Sequence, residues 1–450
     1  MAEKSKLPQY LSLSTPVPAA SRAPWYKNTF PTYMAIFLWV GFYLKLAGPT
    51  IGYASVGVCL WGLLVAGILC FALYYYAPAM LGMKTGRPLY VVGSSTFGTA
   101  GGYLMPGLLM GFLQLGWVAV ATAVSTDFIM DGLNKTSKSL SILIALIWVY
   151  VLAWIAIKGI RYVAKMAQVF NWVPLFMLFV VFWANRSGIA RYQPAHHDPL
   201  TGFLSVLTIV IGYFATAGAA GADFGMNNRD RRDIFLGGAC GIVGGVVVAG
   251  ALPMLSVAGY LGRGASPVSY DYSAAISSVG ALAPIMFFLF AAASLAPTCF
   301  STFIASNSLS TMLPKIPRSV STLVGVSISA VLAITGVANN VVGFFVIVGA
   351  SFGPICGAMA ADYLLAGRSW SGPRLGINWA GYAAWAAGFV AGIPDHIPGI
   401  PAAWVKADNP SVLFSFIVGF VVYLVLAKAG ALPPVAAEQM VPISNESPAL

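Results

Sequence analysis

The chain has 450 residues, of which 59% are hydrophobic and only 8% are charged, and its mean hydropathy is +0.82. Soluble domains usually carry about 25% charged residues, so a chain this apolar could not cover its own surface with polar groups. The net charge of +11 would suggest nucleic acid in a soluble protein, but here Lys and Arg fall in short segments between apolar runs. We therefore expect an integral protein of the lipid bilayer, without a nucleic-acid partner.

Twelve apolar segments follow one another along the chain, and a helix that crosses a bilayer needs about 20 such residues. We number them span one to span twelve. They are predicted at residues 31–47, 52–78, 101–126, 139–158, 167–184, 203–222, 234–260, 281–306, 318–337, 341–366, 378–394 and 411–428. Polar tails at 1–28 and 431–450 flank them, which leaves a single transmembrane domain over residues 29–430.

The placement of Lys and Arg predicts how the spans are oriented. With a cytoplasmic N-terminus, one side of the membrane holds 17 basic residues and the other holds 6, with Lys45 left inside span one. The richer side comprises Lys4, Lys6, Arg22, Lys27, Lys84, Arg87, Lys158, Arg161, Lys165, Arg229, Arg231, Arg232, Lys315, Arg318, Arg368, Arg374 and Lys428. The poorer side comprises Lys135, Lys138, Arg186, Arg191, Arg263 and Lys406. This bias predicts that both termini are cytoplasmic, and the composition favours a bacterial inner membrane.

Residues 1–28 contain no apolar core of a secretory signal peptide, so we expect span one to serve as an uncleaved insertion signal. The connections between spans are short, which leaves no room for an added signalling domain and disfavours a membrane sensor.

Spans one and six both place glycine beside aromatic residues near mid-span and then end in glycine-rich sequence, at residues 39–49 and 212–225. They are five helices apart, which is typical of two inverted repeats that each open with a broken helix. Carbonyl groups freed by such a break can bind a cation where a cavity admits one. The alternative interpretation is that these glycines allow close helix packing.

Four ionisable residues fall within the predicted spans or at their ends: Lys45, Asp127, Asp223 and Asp362. A charge inside a bilayer is costly, so each is a functional candidate, although each could also reach the interface or pair with a neighbour. Lys45 is of particular interest, because an ammonium group beside a cation site could replace the charge of the ion; alternatively it extends to the membrane surface.

Signatures of catalysis are absent from the sequence. There is no phosphate-binding G-x-x-x-x-G-K-[ST] motif, and His196, His197 and His396 fall in predicted loops. The five Cys lie inside apolar runs without metal-ligand spacing. We therefore expect no enzyme, no cofactor and no metal other than a coupling ion, and no obligatory protein partner is evident.

Span three carries Gln114 and Trp117, which are three residues apart and so share one helix face. The Gln amide offers both a donor and an acceptor, which suits the edge of a planar amide-like heterocycle, and the Trp ring offers a face for stacking. The alternative is an ordinary packing contact within a helix bundle.

An ordered set of short motifs resembles the nucleobase:cation symporter family, in particular its cytosine-permease-like branch, over about residues 30–425. The motifs are Lys84-Thr85-Gly86, Phe97-Gly98, Pro106-Gly107, Gln114-Leu115-Gly116-Trp117, Ala222-Asp223-Phe224, Pro354, Ala361-Asp362-Tyr363-Leu364, Asn378-Trp379 and Pro398-Gly399-Ile400-Pro401. The resemblance implies an all-α polytopic protein of the LeuT-type fold, with two inverted five-helix repeats, two further C-terminal helices and 12 transmembrane helices in all.

The same resemblance implies import of a nucleobase or related heterocycle by Na⁺- or H⁺-coupled alternating access. Matched by position, Gln114 and Trp117 of span three, Phe214 and Thr216 of span six, and Ser301 of span eight would contact the substrate. Phe214 would stack on the ring opposite Trp117.

In Na⁺-coupled members, carbonyls of broken span one and a carbonyl-and-hydroxyl set on span eight hold the ion. The matching residues here are Gly41, Ser294 and Thr298. This chain departs from the pattern, with Pro297 where a second hydroxyl is expected and Cys299, Phe300 and Ser301 where Asn and Asp occur in cytosine-type members. Because of this departure, Na⁺-coupled, H⁺-coupled and ion-independent transport all remain open alternatives. It also leaves open a LeuT-type transporter of an amino acid or vitamin precursor.

Overall fold

The computed structural model describes residues 7–157, 172–266, 268–313, 315–401, 403 and 409–436. The basic residues Lys4, Lys6, Lys158, Arg161, Lys165 and Lys406, and the predicted start of span five, lie outside these ranges. Within them the chain is helical, with two isolated β-bridges, Ala23 with Asn228 and Arg374 with Val435. The connections between the described spans are short.

The helices that correspond to the twelve predicted spans have the following bounds: span one Thr29–Phe37 and Val40–Tyr43, span two Val56–Thr85, span three Gly101–Leu133, span four Lys138–Ile157, span five Trp172–Arg191, span six Pro199–Ala219, span seven Arg231–Gly262, span eight Ala283–Ala293 and Leu295–Met312, span nine Arg318–Ile334, span ten Val341–Leu365, span eleven Trp379–Gly392 and span twelve Ser411–Lys428. Nine helices in the described part of the chain are long and apolar enough to cross a membrane. Spans one, nine and eleven are shorter, and the predicted count of twelve is consistent with this architecture.

Span one is broken, as predicted, and the break lies at Leu38 and Trp39. Trp39 adopts an extended backbone, with φ −70° and ψ 130°, and the chain then makes a single helical turn at Val40–Tyr43. The Trp39 ring folds back over Gly41, where any Cβ atom would collide with the indole. Glycine at this position is therefore what lets the ring cover the break.

The predicted mid-span break in span six is misplaced. The helix runs without interruption over Pro199–Ala219, turns at Ala220 and continues as the short helix Gly221–Gly225. Its mid-span glycines are packing positions, because a Cβ at Gly212 would meet the Phe345 carbonyl and one at Gly218 would meet Tyr74. Here the packing interpretation is the correct one.

Span eight contains a break that the sequence did not predict. Its first piece ends at Ala293, and the second begins at Leu295, with Ser294 between them. Pro297 lies in the first turn of the second piece, and it has no N–H to continue the hydrogen-bond ladder back to residue 293. The breaks in spans one and eight face each other, since Trp39 hydrogen-bonds to Ser294.

Candidate functional site

A cavity of about 290 Å³ lies between spans one, three, six and eight. Its lining comprises Pro31, Thr32, Ala35, Ile36, Trp39, Gln114, Trp117, Ala121, Tyr213, Thr216, Ala217, Ala220, Phe224, Ala296, Pro297, Phe300, Ser301 and Ile304. None of these residues carries a formal charge at neutral pH. A chamber of this size with an apolar wall and a few polar groups is typical of a small-molecule site.

The cavity occupies the half of the membrane that lies toward the N-terminus. Spans alternate in direction, so the first piece of span one, the end of span six and the second piece of span eight lie on this same side. All of these segments line the cavity. A ligand could therefore reach it from the N-terminal face.

Gln114 presents an available amide to the cavity. The side chain is 6% exposed, and its Nε2 donates to the Met110 sulfur at 3.5 Å, which is a weak acceptor. Its carbonyl oxygen has no hydrogen-bond partner among the described residues. A buried amide that is left unpaired costs free energy, so this group favours a ligand with a complementary donor and acceptor.

Trp117 is fixed on two sides. Its indole Nε1 donates to Thr216 Oγ1 at 3.2 Å, and its ring packs edge-on against Tyr213, with centroids 5.2 Å apart. Thr216 therefore uses its oxygen to hold Trp117, and its own hydroxyl proton has no acceptor among the described residues. Ser301, the fourth predicted contact at the wall, has a hydroxyl without a partner among the described residues.

Phe214 does not reach the cavity, so the prediction that it stacks opposite Trp117 is not supported by the structure. It is fully buried behind span one, where its ring stacks on Phe37 at 5.6 Å and 11°. Neighbouring residues of a helix point about 100° apart, and the preceding residue, Tyr213, faces the cavity in its place. Within the aromatic run of span six, Tyr213 and not Phe214 therefore lies at the cavity wall.

Trp39 is the second lining residue that the sequence analysis missed. Its ring lies 5.9 Å from that of Trp117 and 6.3 Å from that of Tyr213, centroid to centroid, so the three rings close the deep end of the cavity. The sequence contained the residue within the predicted break, but the direction of a side chain at a break cannot be read from helical periodicity.

The residues predicted to hold a cation meet at the two breaks, but protein groups already engage them. Ser294 Oγ accepts from Trp39 Nε1 at 3.1 Å and donates to the Phe290 carbonyl at 3.2 Å. Thr298 Oγ1 donates to the Ser294 carbonyl at 2.6 Å, and Gly41 lies under the Trp39 ring. As arranged, this set does not fit a bound Na⁺.

Lys45 lies away from this set. The chain turns after Tyr43, and the Lys45 ammonium pairs with Asp271 in a separate polar recess on the far side, beside Asp127 and Asp131. Its predicted role as a charge substitute at the cation position is therefore not supported, since the side chain points to the membrane surface.

The far side of the cavity is closed. Tyr43 meets Tyr272 edge-to-face at 5.3 Å, both rings are buried, and the Tyr272 N–H donates to the Leu44 carbonyl at 3.1 Å. With the ion pair of Lys45 and Asp271 above them, these contacts separate the cavity from the far surface. The protein is therefore in a state that faces the N-terminal side.

At the opposite end, the mouth of the cavity is narrowed by two rings. Phe224, which follows span six, stacks on Phe300 of span eight with centroids 6.0 Å apart and an interplanar angle of 19°. Both residues line the cavity. We call this contact the Phe224–Phe300 pair.

The two other ionisable candidates have structural partners. Asp362 of span ten is 2% exposed and accepts from Ser95 Oγ at 2.6 Å, Tyr423 OH at 2.9 Å and an Arg374 nitrogen at 3.2 Å. Asp223 accepts from the Leu89 N–H at 3.2 Å. Among the described residues there is no group of three or more His, Cys, Asp or Glu that could hold a metal ion.

No family model matches the sequence. Over 409 residues the chain is 25% identical to the cytosine permease of Escherichia coli strain K12, which covers 86% of this chain and 89% of the permease. The cytosine permease of Escherichia coli O157:H7 is 26% identical over the same length.

Among solved structures, the fold is similar to the inward-facing conformation of Mhp1, with a TM-score of 0.72 and 16% identity over 96% of both chains. Mhp1 in a closed conformation with bromovinylhydantoin bound gives 0.67, at 16% identity, over 94% of this chain and 96% of that chain. A Na⁺-coupled sialic acid symporter gives 0.61, at 10% identity, over 95% of this chain and 94% of that chain. These similarities confirm the predicted LeuT-type membrane fold.

The similarity to the cytosine permeases runs over most of both chains, and the fold is shared with Mhp1, which is described as a nucleobase-cation-symport-1 family transporter. By sequence the chain is similar to cytosine permeases, and by fold it is similar to Mhp1.

Proposed function

We propose that the protein is a secondary active transporter that imports a small, uncharged, planar nitrogen heterocycle, such as a nucleobase or a hydantoin, by alternating access. The observation that carries this proposal is the cavity between spans one, three, six and eight. It joins aromatic faces to the Gln114 amide, whose carbonyl oxygen has no partner among the described residues, and its described lining carries no charged side chain. Cytosine permeases and the hydantoin-bound Mhp1 structure supply the substrate class by similarity.

The polar groups of the wall suit the edge of such a ring. Gln114 would take one donor and one acceptor of the heterocycle, and the hydroxyls of Thr216 and Ser301 lie on the facing spans. The indole of Trp117 would stack on the face of the ring, with Tyr213 and Trp39 closing the deep end. Analogues that lack one of these hydrogen-bonding atoms would leave a buried group unpaired and would bind more weakly.

The absence of charge from the described lining argues against the competing substrate class. An amino acid carries a carboxylate and an ammonium group, and burial of either without a partner is costly. A neutral heterocycle meets no such penalty in this cavity. We therefore place amino acids and charged vitamin precursors second.

We propose that the protein lies in the inner membrane with both termini in the cytoplasm. The described basic residues support it, because Arg229, Arg231, Arg232, Lys315 and Arg318 all lie on the N-terminal face. In this orientation the structure represents the state that releases substrate inward. A C-terminal reporter that is active only in the cytoplasm would test the assignment.

The test of substrate class is binding and uptake by the purified protein in proteoliposomes, with pyrimidines, purines, hydantoins and amino acids as the panel. We expect saturable uptake of a heterocycle, and Gln114→Met, which keeps the side-chain length but removes the amide, should weaken its binding about tenfold or more. Trp117→Phe should also weaken binding.

The matched control is Trp61→Phe, because Trp61 lies on span two with 66% of its surface exposed, away from the cavity. This variant should bind like the wild type. Uptake of amino acids alone, or heterocycle binding that is unchanged in Gln114→Met and Trp117→Phe, would overturn the proposal.

A further inference from the structure

The breaks of spans one and eight are joined by one side chain. Trp39 lies at the break of span one, and its indole N–H donates at 3.1 Å to the hydroxyl of Ser294, which lies at the break of span eight. Trp39 is 5% exposed and Ser294 is fully buried, so this hydrogen bond is shielded from water. A bond of this kind inside a membrane protein contributes more than it would at a surface.

The hydroxyl groups around this bond are already engaged in hydrogen bonds within the protein. The Ser294 hydroxyl both accepts from Trp39 and donates to the Phe290 carbonyl, and the Thr298 hydroxyl donates to the Ser294 carbonyl. Alkali and alkaline-earth cations require several oxygen ligands, which carbonyls, carboxylates and hydroxyls supply. Pro297, which directly precedes Thr298, has neither a hydroxyl nor an N–H.

The orientation of the Trp39 indole N–H also disfavours a cation at this position. Its Nε1 is a donor only, so the edge turned toward Ser294 is positive. A cation bound to the Ser294 hydroxyl would compete with that N–H for the same oxygen and would face its positive end. The ring also covers Gly41, so the backbone of the second piece of span one is screened on that side.

We infer that in this chain the Trp39–Ser294 hydrogen bond joins spans one and eight at the place where a coupling Na⁺ is expected, and that this set of residues does not bind Na⁺. The bond also connects the substrate cavity to both breaks, because Trp39 lines the cavity. Only the substrate-binding part of the test below rests on the proposed function.

The first experiment needs no substrate. Thermal unfolding of the purified protein in detergent is measured in NaCl, KCl and choline chloride at equal ionic strength, with Ser294→Ala and Thr298→Ala alongside the wild type. We expect the same unfolding temperature of the wild type in all three salts. A Na⁺-specific rise that disappears in Ser294→Ala or Thr298→Ala would overturn the inference, whereas a rise that both variants retain would place the ion elsewhere and leave the inference standing.

The second experiment tests the bond itself by a double-mutant cycle. Trp39→Phe keeps an aromatic ring over Gly41 but removes the N–H, and Ser294→Ala removes the acceptor. Each should weaken binding of the heterocycle about threefold to tenfold, and the double variant should be no worse than either single one, because all three lack the same bond. Strictly additive losses would contradict the inference.

Two controls complete the cycle. Ser294→Thr retains a hydroxyl that can accept from Trp39 and should lose less affinity than Ser294→Ala, and Trp61→Phe reports the general effect of losing an exposed indole. If no heterocycle binds at all, the proposed function fails. The same cycle is then read from unfolding temperatures, which together with the salt comparison still decide the inference.

Discussion

The indole Nε1 of Trp117 lies 3.2 Å from Oγ1 of Thr216, so spans three and six are joined by a hydrogen bond at the wall of the cavity. Both residues are buried, with 7% and 3% of their surfaces exposed. The bond fixes the plane of the Trp117 ring relative to the amide of Gln114 one turn earlier. We expect the orientation of this ring, more than its mere presence, to determine how well a planar substrate stacks.

Thr216→Val should therefore weaken substrate binding about threefold to tenfold, because it preserves the shape of the side chain but leaves the Trp117 N–H buried without a partner. Isothermal titration calorimetry on the purified variant measures the effect. Thr216→Ser keeps the hydroxyl and should retain most of the affinity. Unchanged affinity in Thr216→Val, or a larger loss in Thr216→Ser than in Thr216→Val, would show that the hydrogen bond does not determine binding.

Separate substitutions of the two neighbouring aromatic residues of span six should distinguish an effect on substrate binding from an effect on stability. Phe214→Ala removes a ring that stacks on Phe37 behind the cavity, and such a change costs about 3–5 kcal/mol of stability in well-packed cores. Tyr213→Leu removes a ring that lines the cavity and should weaken substrate binding. Unfolding temperature and dissociation constant are measured for both variants, and a larger binding loss in the Phe214 variant than in the Tyr213 variant would contradict the assignment.

The Phe224–Phe300 pair should slow the passage of substrate through the mouth of the cavity. Phe300→Ala removes one of the stacked rings, so substrate should leave the N-terminal face several-fold faster, as measured by dissociation of radiolabelled substrate after dilution. Phe224→Ala should act in the same direction, and the double variant should gain little more. Unchanged dissociation in both single variants would show that the rings do not limit exit.

Asp223 should make stability depend on pH. Asp223 lies past the end of span six, in the short helix Gly221–Gly225. Burial raises the pKa of its carboxyl group to about 7, although the hydrogen bond from the Leu89 N–H lowers that pKa. The folded protein then holds this proton over a range in which the unfolded chain has lost it. The stability contributed by this group therefore falls as the pH rises from about 4 to about 7.

Asp223→Asn removes the titration and keeps an oxygen that can accept from Leu89. The unfolding temperature of this variant, relative to the wild type, should increase between pH 5 and pH 8. A constant difference between Asp223→Asn and the wild type would rule out the raised pKa.

The buried ion pair of Asp362 and Arg374 should be a strong determinant of stability. Asp362→Ala leaves the Arg374 guanidinium without its carboxylate partner, and removing one member of a buried pair costs about 3–5 kcal/mol. Tyr423→Phe removes a single hydrogen bond to the same carboxylate and should cost about 1 kcal/mol. Unfolding temperatures in detergent should rank the two variants in this order, and the reverse order would show that the pair is not strongly stabilising.

Hydropathy was sufficient to predict the nine helices of the described part of the chain that are long and apolar enough to cross a membrane, because the bilayer imposes both length and composition. It also sufficed for the face of span three that carries Gln114 and Trp117, since regular helices obey a fixed period. The choice between Tyr213 and Phe214 required the rotation of span six, which depends on packing of Gly212 and Gly218 against spans ten and two. The rotation of span six about its axis cannot be predicted from the sequence alone.

The remaining misses arose where the chain is not helical or where partners are distant. Trp39 lies at a break, so no period predicts its direction. Lys45 pairs with Asp271, which is 226 residues away in sequence, and Asp362 hydrogen-bonds to Ser95, which is 267 residues away. Pairings of this kind follow from the assembled fold, and a local pattern cannot indicate them.

The contacts of Asp362 also have a consequence for how the chain is made. They connect Ser95, which precedes span three, to Tyr423 on span twelve, which is synthesised much later. The segment around residue 95 therefore cannot complete these contacts until span twelve has been translated. A nascent chain that stops short of span twelve would keep an unfinished polar junction within its interior, a defect that cellular quality control can recognise.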